Sequence, residues 1–259
     1  MNQEVYFVDS FTSELFRGNP AGVIFYSEAM SNELMQKIAA ENNLSETAFI
    51  DINSNEIRFF TPEIEVDLCG HATLASAFVY FNFINTEKYE VTFHSKRGSL
   101  VALKAAPGIQ ISLPRDVLRK VDNHQLFEDA LNARVNELYK GIDDYLVILD
   151  SEDTVKNLEP NFHMLKEIDA RGVVVSAKGN NIDFVSRWFG PQTGVNEDPV
   201  TGSAHALLAP YWAENLGKNC MQAAQLSSRG GKLVCELDSD FVYITGDAKL
   251  YLKGKINLG

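Results

Sequence analysis

The chain has 259 residues, 45% of them hydrophobic and 22% charged, a balance that suits one large or two medium globular domains. Its 35 Asp and Glu outnumber 23 Lys and Arg, a formal net charge of −12 that a nucleic-acid backbone would repel. Cys69, Cys220 and Cys235 are spaced for neither a disulfide framework nor a zinc motif. The start MNQEVYFVDS lacks a basic-then-apolar leader, and the longest apolar-rich stretch, 72–84, is too short to span a bilayer. The expectation is a cytoplasmic protein without nucleic-acid or membrane partners.

In chain order, short strands are predicted at 4–8 and 21–26, then a helix over 31–42 with Ser31 as N-cap, then a strand at 47–52. EIRFF (56–60) reads as a strand and leads through a Pro-, Asp- and Gly-containing turn into an apolar helical run, HATLASAFVYF (71–81). A helix with no polar face must be surrounded by protein. Strands follow at 89–94, 99–104 and 109–113, and the polar stretch RDVLRKVDNHQ after Pro114 is the expected crossing between halves. The second half offers helices at 123–133 and 161–168, strands at 145–150 and 172–177, and the strand IDFVSRWF (182–189). A second apolar helical run then ends at Gly217 and contains Pro210, which should break its hydrogen-bond ladder locally. Strands at 232–237, 241–245 and 248–252 close the chain.

The chain repeats itself. RFFTP (58–62) is echoed by RWFGP (187–191), Asp67 and Gly70 by Asp198 and Gly202, and SKRGSLV (95–101) by SSRGGKLV (227–234), in one order and at nearly one spacing. This predicts a duplicated unit and an α+β fold. Two pseudo-symmetric domains, 1–115 and 116–245, are each a strand-rich half-barrel around a central buried helix. Residues 246–259 are expected to pack back on the first. The helix starts at Gly70 and Gly202 carry unpaired backbone N–H groups and about half a positive charge each. If both face a common seam, they suit a small-molecule carboxylate.

Around those starts stand Cys69, His71, Glu197, Asp198, Thr201 and Ser203, and Ser45 and Glu46 precede an apolar strand, where a carboxylate is a candidate for proton transfer. Each has a plainer reading. Glu46 can cap a strand, His71 can be a satisfied histidine, Asp198 a turn residue and Ser203 a helix N-cap. Cys69 can be a reactive thiol or a small buried hydrophobe. Asn19 in GNP can shape a tight turn or contact substrate. Arg58 and Arg187, beside aromatics, read as structural.

The segments VDSFTSELFRGNPAGV (8–23), NLSETAFI (43–50), RFFTPEIEVDLCGHATLASAF (58–78) and GVNEDPVTGSAHALLAPYW (194–212) resemble the PhzF-like (phenazine biosynthesis) branch of the diaminopimelate epimerase fold superfamily. The resemblance spans the chain. It implies a cofactor-independent isomerase, usually a homodimer, with a substrate cleft at the seam. Glu46 matches the family's catalytic acid/base, and His71, Asp198 and Ser203 its polar residues around the reacting substrate. Asn19, Ser45, Gly70, Ala72, Thr201 and Gly202 are the expected substrate contacts, with no metal. The superfamily's amino-acid epimerases use two cysteines, one from each half. Here Cys69 stands in place of the first and nothing matches the second, so movement of a proton along one face by one carboxyl group is favoured. The alternatives are a racemase using Cys69 with a non-thiol base, and a non-catalytic relative that binds a ligand or partner.

Overall fold

The computed structural model describes residues 2–258. The chain divides into two units, one running to Leu113 and resuming at Thr245, the other Pro114–Ile244. The first is built from β1 (Asn2–Ser10), β2 (Asn19–Tyr26), α1 (Asn32–Asn42), β3 (Glu46–Asp51), β4 (Ile57–Phe60), β5 (Glu65–Val66), α2 (Gly70–Val79), β6 (Glu90–Ser95), β7 (Gly98–Lys104) and β8 (Ile109–Pro114). The second runs through β9 (Arg119–Lys120), α3 (Gln125–Leu131), β10 (Glu137–Lys140), β11 (Asp144–Ile148), α4 (Glu152–Lys156), α5 (Phe162–Lys166) and β12 (Gly172–Lys178). It continues through β13 (Phe184–Gly190), β14 (Val195–Asp198), α6 (His205–Leu216), β15 (Cys220–Gln225), β16 (Gly231–Leu237) and β17 (Phe241–Gly246). β18 (Ala248–Asn257) returns to the first unit and pairs antiparallel with β1.

The sequence echo is an echo of topology. β1 and β2 are antiparallel, β2 and β3 parallel with α1 between them in sequence, and β3–β4 and β4–β5 antiparallel. The second unit repeats this order: β10–β11 antiparallel, β11–β12 parallel, β12–β13 and β13–β14 antiparallel. Each series leads to a buried helix and then to an antiparallel hairpin, β6–β7 or β15–β16.

The repeated arginines hold equivalent places in this scheme. Arg58 lies opposite Phe49 of β3, and Arg187 opposite Val175 of β12. Each guanidinium sits over the aromatic ring two residues on, Phe60 at 5.1 Å and Phe189 at 4.9 Å. Each also grips a glutamate of the next strand with two hydrogen bonds, Glu65 at 2.8 and 2.8 Å and Glu197 at 2.7 and 3.0 Å. Both arginines are thus structural, stacking by face and bonding by edge as guanidinium allows.

α2 is buried at every position from Gly70 to Ala77 and again at Val79. Its hydroxyls survive there because Thr73 donates to the Cys69 carbonyl and Ser76 to the Ala72 carbonyl, both at 2.7 Å. The expected helical run, 71–81, ends as α at Val79 and widens into a π turn, Tyr80–Ile84, closed by Asn85 N–H on the Tyr80 carbonyl at 2.8 Å. The wider turn lets Tyr80 pack on Phe25 and Phe93 while Phe83 packs on Tyr6.

The second run departs from expectation at its start. Gly202–Ala204 form a tight 3₁₀ turn and α6 begins only at His205, with no side-chain cap. The Thr201 carbonyl accepts both the Ala204 N–H, at 3.1 Å, and His205 Nδ1, at 3.0 Å, which fixes the tighter winding. Pro210 lies inside α6. It cannot donate to the Ala206 carbonyl, and that oxygen accepts the backbone N–H of Asp116 instead, at 3.1 Å. No helix among the described residues is long and apolar enough to cross a membrane.

Candidate active site

In the first unit, three elements bring side chains onto one imidazole. α1 ends at Asn43 in the left-handed conformation, which turns the chain into β3 and leaves half-buried Ser45 and Glu46 at its head. β2 begins at fully buried Asn19, set by Gly18, whose φ is +64°. A Cβ on Gly18 would lie 2.1 Å from the Ser10 carbonyl oxygen, so the turn admits only glycine. Cys69, extended at φ −144°, is the N-cap of α2, and Gly70, His71 and Ala72 form its first turn.

His71 is 3% exposed. Its carbonyl accepts Ser10 Oγ at 2.8 Å. Its Nδ1 lies 3.1 Å from Asn19 Nδ2 and 3.4 Å from Cys69 Sγ. Its Nε2 lies 3.2 Å from Glu46 Oε2 and 3.9 Å from Cys69 Sγ. Burial pushes the imidazole down to about 3, because the charged form would lose its hydration. It is therefore neutral at neutral pH, and its contact with Glu46 is not an ion pair. With Asn19 Nδ2 donating to Nδ1, the ring proton is assigned to Nε2.

In the second unit, Asp198 ends β14, and Thr201 Oγ1 donates to its Oδ2 at 2.5 Å. Gln225, buried at the end of β15, staples this turn from another strand. Its Oε1 accepts Thr201 N–H at 2.8 Å, and its Nε2 donates to the Asp198 carbonyl at 2.7 Å. Ser203 does not cap α6. Its Oγ accepts Arg171 Nη1 at 3.0 Å, leaving its own O–H to donate elsewhere. Arg171 in turn pairs with buried Asp144 through Nε at 2.9 Å and through Nη2, and Trp188 Nε1 donates to the same carboxylate at 3.2 Å. Glu197 is committed to Arg187.

The structure thus gathers Asn19, Glu46, Gly70, His71 and Ala72 with Cys69 in one unit, and Asp198, Thr201, Gly202 and Ser203 in the other. Sequence reasoning missed Gln225, Arg171 and Asp144. The visible trace of the last two is a charged residue at the head of an apolar strand, in DDYLVIL and ARGVVVS.

Register exposes an asymmetry between the units. Three residues back from Phe49 on β3 is Glu46, and three back from Val175 on β12 is Gly172. The second unit therefore has no carboxylate at the Glu46 position. A Cβ on Gly172 would lie 2.3 Å from Trp188 Cζ2, so the indole fills the space a side chain would take. Likewise Cys69, before Gly70, has Thr201, before Gly202, as its counterpart.

Comparison with known proteins places this architecture among epimerase folds. A hydroxyproline epimerase from Agrobacterium vitis superposes with a TM-score of 0.61 over 98% of this chain and 91% of its own, at 11% identity, a likeness of fold alone. A PhzF-family phenazine biosynthesis protein from Enterococcus faecalis superposes with a TM-score of 0.95 at 43% identity, covering all of both chains. Residues 8–254 match the family model described as phenazine biosynthesis-like protein. The chain belongs to that family. A relative in Pseudomonas aeruginosa, 42% identical over the full length of both chains, is named an uncharacterized isomerase.

Proposed function

We propose that this protein is a cofactor-independent isomerase that moves a proton on a small carboxylate substrate, with Glu46 as the acid/base. The observation that carries the reading is the register asymmetry: the duplicated scaffold holds a carboxyl group at the head of β3 and Gly172 at the equivalent place on β12. Inversion at a saturated carbon needs acid/base groups on two faces. Relocation of a proton within an allylic system needs one group, which takes the proton from one carbon, leaves an electron pair to shift along the double bond, and returns the proton to another carbon on the same face. The isomerase names of relatives at 42–43% identity support the reading.

In this mechanism neutral His71 lies against the Glu46 carboxylate, its Nε2 3.2 Å from Oε2, and Asn19 holds His71 through Nδ1. The first-turn amides of α2, around Gly70 and Ala72, face the substrate carboxylate with the positive end of the helix dipole. Asp198, Thr201, Gly202 and Ser203 are proposed as further substrate contacts, Ser203 as a donor because Arg171 occupies its oxygen. Ser45 is proposed to flank the base.

The test is Glu46→Gln, assayed by solvent deuterium incorporation across a library of unsaturated carboxylates. A substrate of the wild type should lose exchange by about 10²–10⁴-fold in the variant. Exchange at the wild-type rate would remove Glu46 from the mechanism. A second reading, a racemase using Cys69, draws on the 3.4 Å approach of Cys69 Sγ to His71 Nδ1. It requires inversion at a carbon centre, abolished in Cys69→Ala.

A further inference from the structure

Arg171 stands one residue before the head of β12, with its guanidinium held by an edge and a face. Its Nε and Nη2 grip the two oxygens of Asp144, which is buried. The Trp188 ring lies 5.6 Å from its Cζ, and the same indole donates Nε1–H to Asp144 at 3.2 Å. From this fixed plane Nη1 reaches Ser203 Oγ at 3.0 Å. We propose that Arg171 is a positioning residue that fixes the direction of the Ser203 hydroxyl and acts on the substrate through it. This role rests on the isomerase reading only in placing substrate at Ser203.

A buried ion pair does not by itself require the contact to Ser203. Asp144 already accepts two guanidinium N–H groups and one indole N–H. The Nη1 bond goes instead to a hydroxyl that caps no helix. A cationic donor on Oγ keeps the serine proton turned away from the guanidinium, so that proton is held ready for an acceptor on the other side. The Arg171 side chain is 31% exposed. Desolvation is nonetheless the largest single influence on its charge and opposes it, while Asp144, with Asp143 and Asp198, holds its pKa above the ordinary value. A cation that is both desolvated and reachable belongs to the floor of a recess, where a ligand can meet what it holds.

The duplicated scaffold places this clamp where the first unit places another. Ala21 of β2 lies opposite Glu46, and Asp144 of β11 lies opposite Gly172. Asp144 therefore answers to Ala21, two residues on from Asn19. In the first unit Asn19 holds His71, the residue after Gly70, at 3.1 Å. In the second, Asp144 acts through Arg171 to hold Ser203, the residue after Gly202. Both units thus use the head of the same strand to steer the side chain that follows the helix-start glycine. The side chain differs between the copies, and the clamp recurs.

Arg171→Lys keeps a positive charge against Asp144, but one ammonium cannot span Asp144 and Ser203 as a planar fork does. Crystal structures of the full chain are expected to show Ser203 in a single rotamer in the wild type. In Arg171→Lys it should occupy several, with the backbone of 201–204 unmoved. The second readout is deuterium exchange into a wild-type substrate drawn from the unsaturated carboxylates. Ser203→Ala should lower kcat by about 10²-fold and Arg171→Lys by about tenfold. Arg171→Lys added to Ser203→Ala should cost less than about twofold more. A merely structural arginine would cost the same factor in both backgrounds, and that result overturns the proposal. So does a wild-type Ser203 spread over several rotamers, or one that keeps its rotamer in Arg171→Lys. A wild type that exchanges none of the carboxylates counts against the isomerase reading, and the rotamers still decide the role of Arg171.

Discussion

Replacing each repeated arginine by methionine asks how much the duplicated bracket contributes to stability. Arg187 is 9% exposed and makes four hydrogen bonds: two to Glu197, and two to the Val155 and Leu158 carbonyls at 3.2 and 2.8 Å. Methionine keeps much of the apolar stem but strands the carboxylate and both carbonyls. Breaking a buried pair costs about 3–5 kcal/mol, and the lost carbonyl contacts keep Arg187→Met toward the upper part of that range. Arg58 has no such carbonyls, and its partner Glu65 retains Lys96 at 2.8 Å. Arg58→Met should cost about 1–2 kcal/mol. The protein's two tryptophans, Trp188 and Trp212, both lie in the second unit. Urea unfolding followed by tryptophan fluorescence therefore reports that unit, and far-UV circular dichroism reports both. With a slope of about 2 kcal/mol per molar urea, Arg187→Met should lower the fluorescence midpoint by about 2 M. Equal losses in the two variants, or a loss below about 1 kcal/mol at Arg187, would refute the reasoning.

Two further outcomes follow from buried groups in α6. Burial pushes His205 down to about 4, so below the unfolded value near 6.5 the unfolded chain takes a proton that the folded one refuses. Stability is lost as pH falls from about 6.5 toward 4, at roughly 1.4 kcal/mol per unit. His205→Asn, which can still donate to the Thr201 carbonyl, should show a drop between pH 7.5 and 5 smaller than wild type by about 2 kcal/mol in urea titrations; equal drops would count against the neutral buried ring. Pro210→Ala in an ordinary helix interior would gain about 3 kcal/mol. Here the Ala206 carbonyl already accepts Asp116 N–H, so the expected gain in the same assay is below about 1 kcal/mol, and a gain near the full value would show that contact to be idle.

The duplicated strands were legible because a strand on a sheet must alternate or run apolar, and EIRFF and IDFVSRWF do so. The two central helices were legible because runs without a polar face have nowhere to go but inside. Glu46 stood out as a charge placed at the mouth of an apolar strand. What could not be read acts across long separations or against local rules. Gln225 reaches the Asp198 turn from 27 residues away, and Arg171 reaches Ser203 from 32. No pattern within one element encodes such a reach. Two-residue pairings such as β5 and β9 are too short to carry a period. The 3₁₀ start of α6 depends on one carbonyl serving two donors, which hydrophobic periodicity does not see.

The two copies differ in a consistent way. The bracket of arginine, aromatic ring and glutamate appears in both, because each unit must pin a short outer strand to its neighbour. The residues with chemistry do not repeat: Glu46 answers to Gly172, Cys69 to Thr201 and His71 to Ser203. Gly172 is more than a missing carboxylate. Its empty Cβ position is occupied by Trp188, whose indole N–H bonds the Asp144 carboxylate that anchors Arg171, and Arg171 holds Ser203. A carboxylate side chain at 172 would displace the ring on which that chain of contacts depends. The second unit thus holds the Ser203 hydroxyl where the first places His71, and has glycine where the first places Glu46; this difference is what the proposed single-base reading draws on, more directly than on the absence of a second thiol beside Gly202.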